Sequence, residues 1–405
     1  MIKKKLLILG MGLQGKGALH EALLSNYFDE ITVADYGEKF ESMKEHYISL
    51  GVIPKSVNAS DLTQVREIIQ GKDIVIELLP LDFAVNVGKI AAELGVNLVN
   101  SMYYIGQSMT DPEKFAQGKK QIEDLSELAK TNNCTLITAC GMDPGLDLIM
   151  GADILRQLDE IETFYSYGAG FPKPEYADNP LKYKFTWSPK STLLSYYRSI
   201  KRIVNGEVIT IPAEKLFSKE NIHIVKDEIL GYALEAYSAG NSENFAEMFN
   251  IKGKVKNMDR FSCRLPGHCE FWDKMVNCGF LKSEPIKVKD VQVSPLEFMS
   301  ALLQSDSKFQ FKDNEQDVAY IRVEASGKQN GKQKKICYTI CDYRDLETGL
   351  TAMQRTVGYT VSIVARLLSE GKITKKGLLL PMDIPLSIVE ADLAKRNIII
   401  HKHFE

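Results

Sequence analysis

The first third of the chain alternates between short apolar runs of strand length and longer amphipathic segments. Residues 5–9 are almost entirely apolar, and residues 16–25 carry apolar side chains at helical spacing. Strands that alternate with helices predict a doubly wound parallel sheet of the Rossmann type, an α/β fold that binds ligands at the carboxyl ends of its strands. The same pattern predicts further strands at residues 30–35, 52–58, 74–80, 97–100 and 135–140, and helices at 64–70, 86–94 and 119–131.

The pattern changes after about residue 145. Strand-like segments recur up to residue 343 with few helical crossovers, which predicts an α+β domain. Segments 320–324 and 336–341 predict an antiparallel hairpin, for which Asn330-Gly331 is a suitable turn. The last part is helical again, at residues 351–371 and 385–396. We therefore expect three parts, a dinucleotide-binding domain over 1–145, an α+β domain over 146–348 and a C-terminal segment over 349–405.

A glycine-rich motif, G-x-G-x-x-G, lies between the first strand and the first helix. It consists of Gly10, Gly12 and Gly15, with Leu13 and Gln14 between the last two glycines. In this motif the glycines allow a tight turn, the approach of a pyrophosphate to the backbone, and close packing of helix on strand. The helix N-terminus adds N–H groups that favour phosphate. These five residues predict a dinucleotide site; a Rossmann domain that has lost its nucleotide is the alternative.

Two further strand ends complete the predicted cofactor site. Asp35 ends the second strand, where an acid accepts hydrogen bonds from the adenosine ribose and repels a 2′-phosphate. Asp35 therefore favours NAD over NADP, although Lys39 or Lys44 could still serve a phosphate. Leu79 and Pro80 end the fourth strand, at the edge that faces the nicotinamide half of the cofactor in this fold.

The sixth strand ends in the segment G-M-D-P-G-L-D at residues 141–147. Asp143 and Pro144 have a structural interpretation, because Asp is a strong N-cap and Pro is favoured at the first helical position. This segment also lies where the nicotinamide is expected. A contact between Asp143 and the substrate is therefore the second interpretation.

Composition narrows the class of protein. The chain has 405 residues, of which 44% are hydrophobic and 25% charged, and its net charge is -3, so it offers no basic surface for nucleic acid. Its apolar runs are too short to span a membrane, and we expect no export signal and a cytoplasmic location. The seven cysteines form no C-x-x-C pair and no zinc-ligand spacing, which predicts reduced core thiols and no metal.

Taken together, the motifs resemble the saccharopine reductase family, also called the glutamate-forming saccharopine dehydrogenases. The resemblance covers nearly the whole chain. It implies a Rossmann domain, an inserted α+β domain for substrate binding and dimerisation, and a C-terminal segment that returns to the first domain. A homodimer is expected on the same grounds. The marks are the glycine motif, residues 141–147, the G-F-P-K-P-E segment at 170–175, residues 178–188, Arg264-x-x-Gly267, and the T-A-M-x-R-T-V-G-Y segment at 351–359.

The family reaction joins an amino-acid amine to an aldehyde and reduces the imine by hydride. By resemblance, Tyr103, Asp143 and Trp187 fall on positions that contact the substrate. Asp143 would hold the iminium charge, and Tyr103 would handle a proton. The face of Trp187 would pack on an aliphatic or cationic chain.

Four other polar residues are candidates by resemblance and residue type. Arg264, Arg355 and Lys184 could bind the substrate carboxylates, since Arg suits bidentate pairing with a carboxylate. Ordinary ion pairs are the alternative for all three. His268 could shuttle a proton, and a structural histidine in a turn is its alternative.

Two departures from the family point to a sister group, the lysine 6-dehydrogenases, which oxidise the ε-amine of lysine with NAD. Gly240 and Asn241 stand where several saccharopine reductases carry an Arg and an Asp, and Asp35 stands where NADP-using members tend to carry a basic residue. Asp143, Asp147 and the block at 179–188 resemble the saccharopine reductases instead. We predict an NAD(P)-dependent oxidoreductase acting on the CH–NH bond of a lysine-pathway amino acid, with saccharopine as first choice. Lysine 6-dehydrogenase, a carboxy-polyamine reductase and a non-catalytic nucleotide-binding protein are the alternatives.

Overall fold

The computed structural model describes residues 4–104, 112–186 and 188–405, and the chain divides into two compact units. The first unit comprises Met1–Asp153 and Gln354–Ile399, and the second comprises Ile154–Met353 and Ile400–Glu405. Among the described residues, no helix combines the length and the apolar character needed to cross a bilayer.

The N-terminal part of the chain has the predicted alternation of strands and helices. Its strands are β1 Lys5–Leu9, β2 Glu30–Asp35, β3 Ile53–Ser56, β4 Ile74–Glu77, β5 Asn97–Asn100 and β6 Thr135–Ile137. Its helices are α1 Leu13–Ser25, α2 Glu38–Glu41, α3 Lys44–Ser49, α4 Leu62–Ile69, α5 Leu81–Glu93, α6 Pro112–Thr131 and α7 Leu146–Leu155. Two predicted helices begin earlier than expected: α5 begins at Leu81, directly after its N-cap Pro80, and α6 begins at Pro112.

The middle of the chain is dominated by strands, as predicted. The strands are β7 Glu160–Pro172, β8 Ile200–Val204, β9 Glu207–Ile211, β10 His223–Lys226, β11 Ala233–Ser238, β12 Asn257–Arg264, β13 Ile286–Val288, β14 Val291–Val293, β15 Asp317–Gln329 and β16 Lys332–Tyr343. The helices are α8 Pro189–Tyr196, α9 Ser242–Met248, α10 His268–Asn277 and α11 Pro295–Ser305. The C-terminal elements are α12 Ala352–Ser369, β17 Gly377–Leu379, α13 Leu386–Ala394 and β18 Ile400–Phe404.

The first unit is built on a parallel sheet of seven strands in the order β17-β6-β5-β4-β1-β2-β3. The inner strand β1 is buried on both faces, since Leu6 to Leu9 are all 0% exposed. Such a strand reads as a continuous apolar run, which is why the sequence predicts it so clearly. The strand order reverses between β1 and β4, and ligands of this fold bind at that switch point. The predicted fold class is confirmed.

Helices α1 and α12 cross closely in the first unit. A Cβ atom at Gly17 would lie 2.1 Å from the carbonyl oxygen of Gln354, and one at Gly358 would lie 2.8 Å from the carbonyl oxygen of Gln14. The side-chain amide of Gln354 also donates to the carbonyl oxygen of Leu13, at 3.1 Å. Two glycines at one crossing therefore let α12 pack onto the start of α1, directly behind the glycine motif.

The second unit contains a mixed nine-stranded sheet with the order β10-β11-β12-β7-β15-β16-β18, from which β8 and β9 branch at β12. The long hairpin of β15 and β16 turns at Asn330 and Gly331, whose φ values are 52° and 75°. Two successive positive φ angles define a type I′ turn, so the hairpin prediction is confirmed. Strand β18 closes one edge by pairing with β16.

The helix-cap interpretation of Asp143 and Pro144 is wrong. Helix α7 begins only at Leu146, and the preceding Gly145 has a φ of 144°, so Asp143 and Pro144 lie before the helix and not at its cap and first position. Asp147, in the first turn of the helix, accepts the backbone N–H of Gly145 at 2.7 Å. The carboxylate at this helix start therefore comes from inside the helix, and the exposed Asp143 lies outside it.

Candidate functional site

The glycine motif forms a tight loop at the carboxyl end of β1. A Cβ at Gly10 would lie 2.7 Å from the carbonyl oxygen of Leu78, and one at Gly15 would lie 2.1 Å from that of Gly10, so protein backbone fills both positions. A Cβ at Gly12 would meet no atom within 4 Å. Space is therefore left open only at the glycine that the motif assigns to the pyrophosphate.

The first turn of α1 has a further feature that fits a bound nucleotide. Leu13 is 51% exposed, although it opens a helix whose later residues are buried. The side-chain amide oxygen of Gln14 is buried and has no hydrogen-bond partner among the described residues. Gly12 caps the helix without a side chain, which leaves the first N–H groups available. The open space and the unpaired amide oxygen suit a dinucleotide, which would lie against Gly12, Leu13 and Gln14.

Asp35 lies beside the glycine loop, as its position at the end of β2 predicts. One carboxylate oxygen accepts the backbone N–H of Met11 at 2.6 Å, and the other accepts that of Tyr36 at 2.7 Å. The first bond joins the ends of β1 and β2. An anion is thereby fixed next to the loop, where the adenosine ribose of a dinucleotide binds in this fold.

The ends of β4 and β5 are tied together by a buried polar pair. The carboxylate of Glu77 accepts the backbone N–H of Leu79 at 2.7 Å and the side-chain amide of Asn100 at 2.9 Å. Leu79 is half-buried and Pro80 exposed, and the half-buried Tyr103 follows β5. Burial raises the pKa of Glu77 to about 7, although both hydrogen bonds act in the opposite direction. The sequence analysis did not predict this pair. A carboxylate within the apolar run I-V-I-E-L-L-P, at residues 74–80, nevertheless indicates a buried charged group that needs hydrogen-bond partners.

In the second unit, Arg264 is buried at the end of β12 and is surrounded by tyrosines. Its guanidinium carbon lies 4.8 Å from the ring centre of Tyr183 and 5.9 Å from that of Tyr237. It donates to the hydroxyl of Tyr196 at 3.4 Å and to the carbonyl oxygen of Cys263 at 2.8 Å. Within the described part of the chain, no carboxylate forms an ion pair with it. A buried cation without an anionic partner is costly, so this site suits an anionic ligand.

His268 supports Arg264 from the start of α10. One ring nitrogen, Nδ1, donates to the carbonyl oxygen of Leu181 at 2.8 Å, so Nε2 accepts from the hydroxyl of Tyr196 at 3.0 Å. The ring is fully buried, and burial together with Arg264 lowers the pKa of His268 to about 3. A neutral, fully hydrogen-bonded imidazole favours the structural interpretation over the proton shuttle.

Lys184 is also buried, and it has acidic partners. Its ammonium group lies 2.9 and 2.8 Å from the two carboxylate oxygens of Glu315 and 3.1 Å from Asp178. The preceding loop is held by Asn179, whose amide donates to the carbonyl oxygens of Tyr183 and Lys308. This arrangement favours the ion-pair alternative for Lys184.

The remaining predicted substrate residues are Arg355 and Trp187. Arg355 is buried in the first unit, where its guanidinium donates to the carbonyl oxygen of Arg396 at 2.9 Å and lies 5.4 Å from the ring centre of Tyr359. Trp187 lies outside the described residues. Each unit therefore has its own candidate site, the strand ends in the first unit and the Arg264 cluster in the second. Among the described residues, no three His, Cys, Asp or Glu side chains form a metal site.

Two family models match the chain and between them cover most of it. The model described as "Saccharopine dehydrogenase NADP binding domain" matches residues 6–137, and that described as "Saccharopine dehydrogenase C-terminal domain" matches residues 141–395. The first match confirms the prediction of an NAD(P)-binding domain. The second alone covers more than half of the chain.

Curated relatives and solved structures agree with the family models. The NADP(+), L-glutamate-forming saccharopine dehydrogenase of Saccharomyces cerevisiae is 24% identical, over 93% of this chain and 94% of that protein. The mitochondrial alpha-aminoadipic semialdehyde synthase of Mus musculus is 28% identical over 74% of this chain, which spans only 31% of that longer protein. The structure of the apo yeast saccharopine dehydrogenase covers 99% of this chain with a TM-score of 0.82 at 23% identity. A homospermidine synthase from Legionella pneumophila, in complex with NAD, has a TM-score of 0.67 at 12% identity.

These comparisons confirm the family that the motifs predict and its NAD(P)-binding domain. The NADP-binding model covers the glycine motif with its open position at Gly12, and the two models follow each other in the same order as the domains predicted from the sequence. The chain belongs to the saccharopine dehydrogenase family.

Proposed function

We propose that this protein is an NAD(P)-dependent oxidoreductase that acts on the CH–NH bond of saccharopine or a closely related amino acid. The observation that carries the proposal is the buried guanidinium of Arg264, which pairs with no carboxylate of the described residues. A substrate with several carboxylates would supply the missing anion. Membership of the family gives the reaction class.

In the proposed reaction the substrate loses a hydride from carbon and a proton from nitrogen, and water then cleaves the imine to an amine and an aldehyde. The nicotinamide supplies the hydride acceptor when it is bound. Asp143, exposed in the turn before α7, would stabilise the iminium charge. Tyr103 would exchange the proton, and Arg264 would clamp a carboxylate.

The departure at Gly240 has a candidate compensation. A Cβ at Gly240 would lie 3.3 Å from side-chain carbons of Arg260 and 3.7 Å from one of its guanidinium nitrogens. The same guanidinium lies 3.7 Å from the ring centre of Phe245. The arginine nearest to position 240 therefore comes from β12 and not from the loop itself.

Two features still favour the lysine 6-dehydrogenase alternative, namely Asp35 and the absence of an acid at Asn241. Asp35 favours NAD, whereas the matching family model is described as NADP binding. The cofactor preference, the homodimer and the cytoplasmic location stay predictions.

The test follows the absorbance of reduced nicotinamide with purified protein, using saccharopine and lysine separately, each with NAD and with NADP. Turnover of saccharopine supports the proposal, and turnover of lysine alone supports the alternative. The variant Arg264→Gln should raise the KM for saccharopine by about tenfold to a hundredfold, the effect of losing a charged hydrogen-bond pair. Arg202→Gln, which changes a half-buried arginine on β8, is the matched control. An unchanged KM in Arg264→Gln would refute the role of Arg264.

A further inference from the structure

The buried carboxylate of Glu77 has no place in the proposed reaction, although it lies at the edge of the sheet where the cofactor binds. It is the last residue of β4 and is 1% exposed. Strand β4 flanks the switch point of the sheet, beside the glycine loop of β1. Any charge on Glu77 therefore acts on the nicotinamide half of the site through protein rather than through water.

Both neighbours of this carboxylate are hydrogen-bond donors, and neither is a cation. They are the backbone N–H of Leu79, at 2.7 Å, and the side-chain amide of Asn100, at 2.9 Å. Among the described residues, no Lys, Arg or His forms an ion pair with Glu77. The donors are arranged for an anion, and the negative charge is left without compensation.

The described elements around Glu77 place no charged side chain against it. On β1 its partner in register is Leu9, and on β5 it is Asn100. Within the described part of the chain, the titratable group in electrostatic contact with Glu77 is the hydroxyl of Tyr104, which stays neutral because burial raises its pKa. Burial also raises the pKa of Glu77 to about 7, so the charge is present above neutral pH and is lost below it.

Oxidised and reduced nicotinamides differ in charge, since the oxidised ring is a cation and the reduced ring is neutral. We propose that Glu77 is a positioning residue whose buried negative charge makes the first unit bind the oxidised cofactor more tightly, relative to the reduced one. The inference rests on nucleotide binding alone and not on the substrate proposed above. The inference can therefore fail while the proposed reaction is correct, and the proposed reaction can fail while the inference is correct.

The test measures the dissociation constants of NAD⁺ and NADH separately, by calorimetry or fluorescence, without substrate or turnover. At about pH 8.5, where Glu77 is ionised, Glu77→Gln should weaken NAD⁺ relative to NADH by about threefold or more, the size of one buried charge interaction. In the wild-type protein, the ratio of the NAD⁺ dissociation constant to the NADH dissociation constant should rise when the pH is lowered from about 8.5 to about 6, because Glu77 is then neutralised. It should stay constant with pH in the variant. A purely structural residue would weaken both forms equally, and an unchanged ratio would overturn the proposal.

A swapped variant provides the matched control. In Glu77→Gln with Asn100→Asp, the new glutamine can accept from Leu79 and donate to the new aspartate, so the link between the strands and the negative charge are both retained. Asp at position 100 can also accept the backbone N–H of Met102, which Asn100 accepts at 3.3 Å. The ratio in the swapped variant should return towards the wild-type value. If the single variant does not fold, the wild-type pH series and the swapped variant test the inference. A ratio that stays constant with pH in the wild type would refute it.

Discussion

The close crossing of α1 and α12 makes a strong prediction about Gly17. In an open helix position, Gly→Ala stabilises a protein by about 1 kcal/mol, because alanine has the higher helix propensity. At Gly17 the new Cβ would lie 2.1 Å from the carbonyl oxygen of Gln354, well inside van der Waals contact, and the obstacle is backbone. The helices would have to separate by roughly 1 Å, and overpacking of this kind costs about 1–3 kcal/mol or more.

We therefore expect Gly17→Ala to lower the free energy of unfolding by about 1–2 kcal/mol, the clash outweighing the propensity gain. Urea unfolding followed by circular dichroism measures this directly. Gly12→Ala is the matched control, since Gly12 has a φ of -68° and a Cβ there meets nothing within 4 Å. The control should keep its stability to within about 0.5 kcal/mol and lose affinity for the dinucleotide. A Gly17→Ala protein as stable as the wild type would refute the packing argument.

Three further predictions concern buried and strand-end charges. Lys184→Met should destabilise the protein by about 3–5 kcal/mol, because the buried Glu315 loses the ammonium group at 2.8 Å and keeps only the exposed Lys312, at 3.9 Å. Adding Glu315→Leu should recover much of the loss in urea unfolding. A stable Lys184→Met protein with a raised KM would instead support a substrate role. Burial raises the pKa of Asp259 to about 7, so its contribution to stability is largest below about pH 4 and is lost as the pH rises through 7. Asp259→Asn, which keeps an oxygen for Ser238, should therefore flatten the dependence of the unfolding free energy on pH between pH 4 and pH 8 by up to about 4 kcal/mol. Parallel curves for the variant and the wild type would contradict this. Asp35→Ser should raise the affinity for NADP relative to NAD by about tenfold, because it removes a carboxylate that repels the 2′-phosphate. Titration of each cofactor measures this ratio. An unchanged ratio would show that repulsion by Asp35 is not the basis of the preference for NAD.

Much of the first unit could be predicted because its signals are local. An apolar run such as Lys5–Leu9 indicates a buried strand by itself, and the Gly10 to Gly15 spacing specifies a turn that backbone sterics require. Asn330-Gly331 likewise predicts its turn, because both residues adopt positive φ readily. The Asp143–Pro144 cap failed for the opposite reason. Residue preferences favour a cap there, but the turn that joins β6 to α7 places both residues outside the helix.

The candidate site was predicted as a set of residue types, and the structure separated the members by their partners. Arg264, Lys184 and His268 all appeared as polar candidates of the second unit. Lys184 pairs with Glu315, and His268 is a neutral support, while Arg264 is left without an acid among the described residues. A partner far away in the sequence leaves no periodic signal, so no reading of the sequence pattern could make this distinction.

The sequence by itself determined the alternation of strands and helices, the glycine loop and the family, because each depends on local backbone preferences or on short motifs. Tertiary structure alone decided which glycines are packed against a helix, which carboxylate lies buried beside the cofactor edge and which arginine has no counter-ion among the residues that the structure describes. Those properties arise when residues such as Gly17 and Gly358, or Glu77 and Asn100, come together from distant parts of the chain. Burial then removes water as the alternative partner, and only at that point does the chemistry of each side chain become defined.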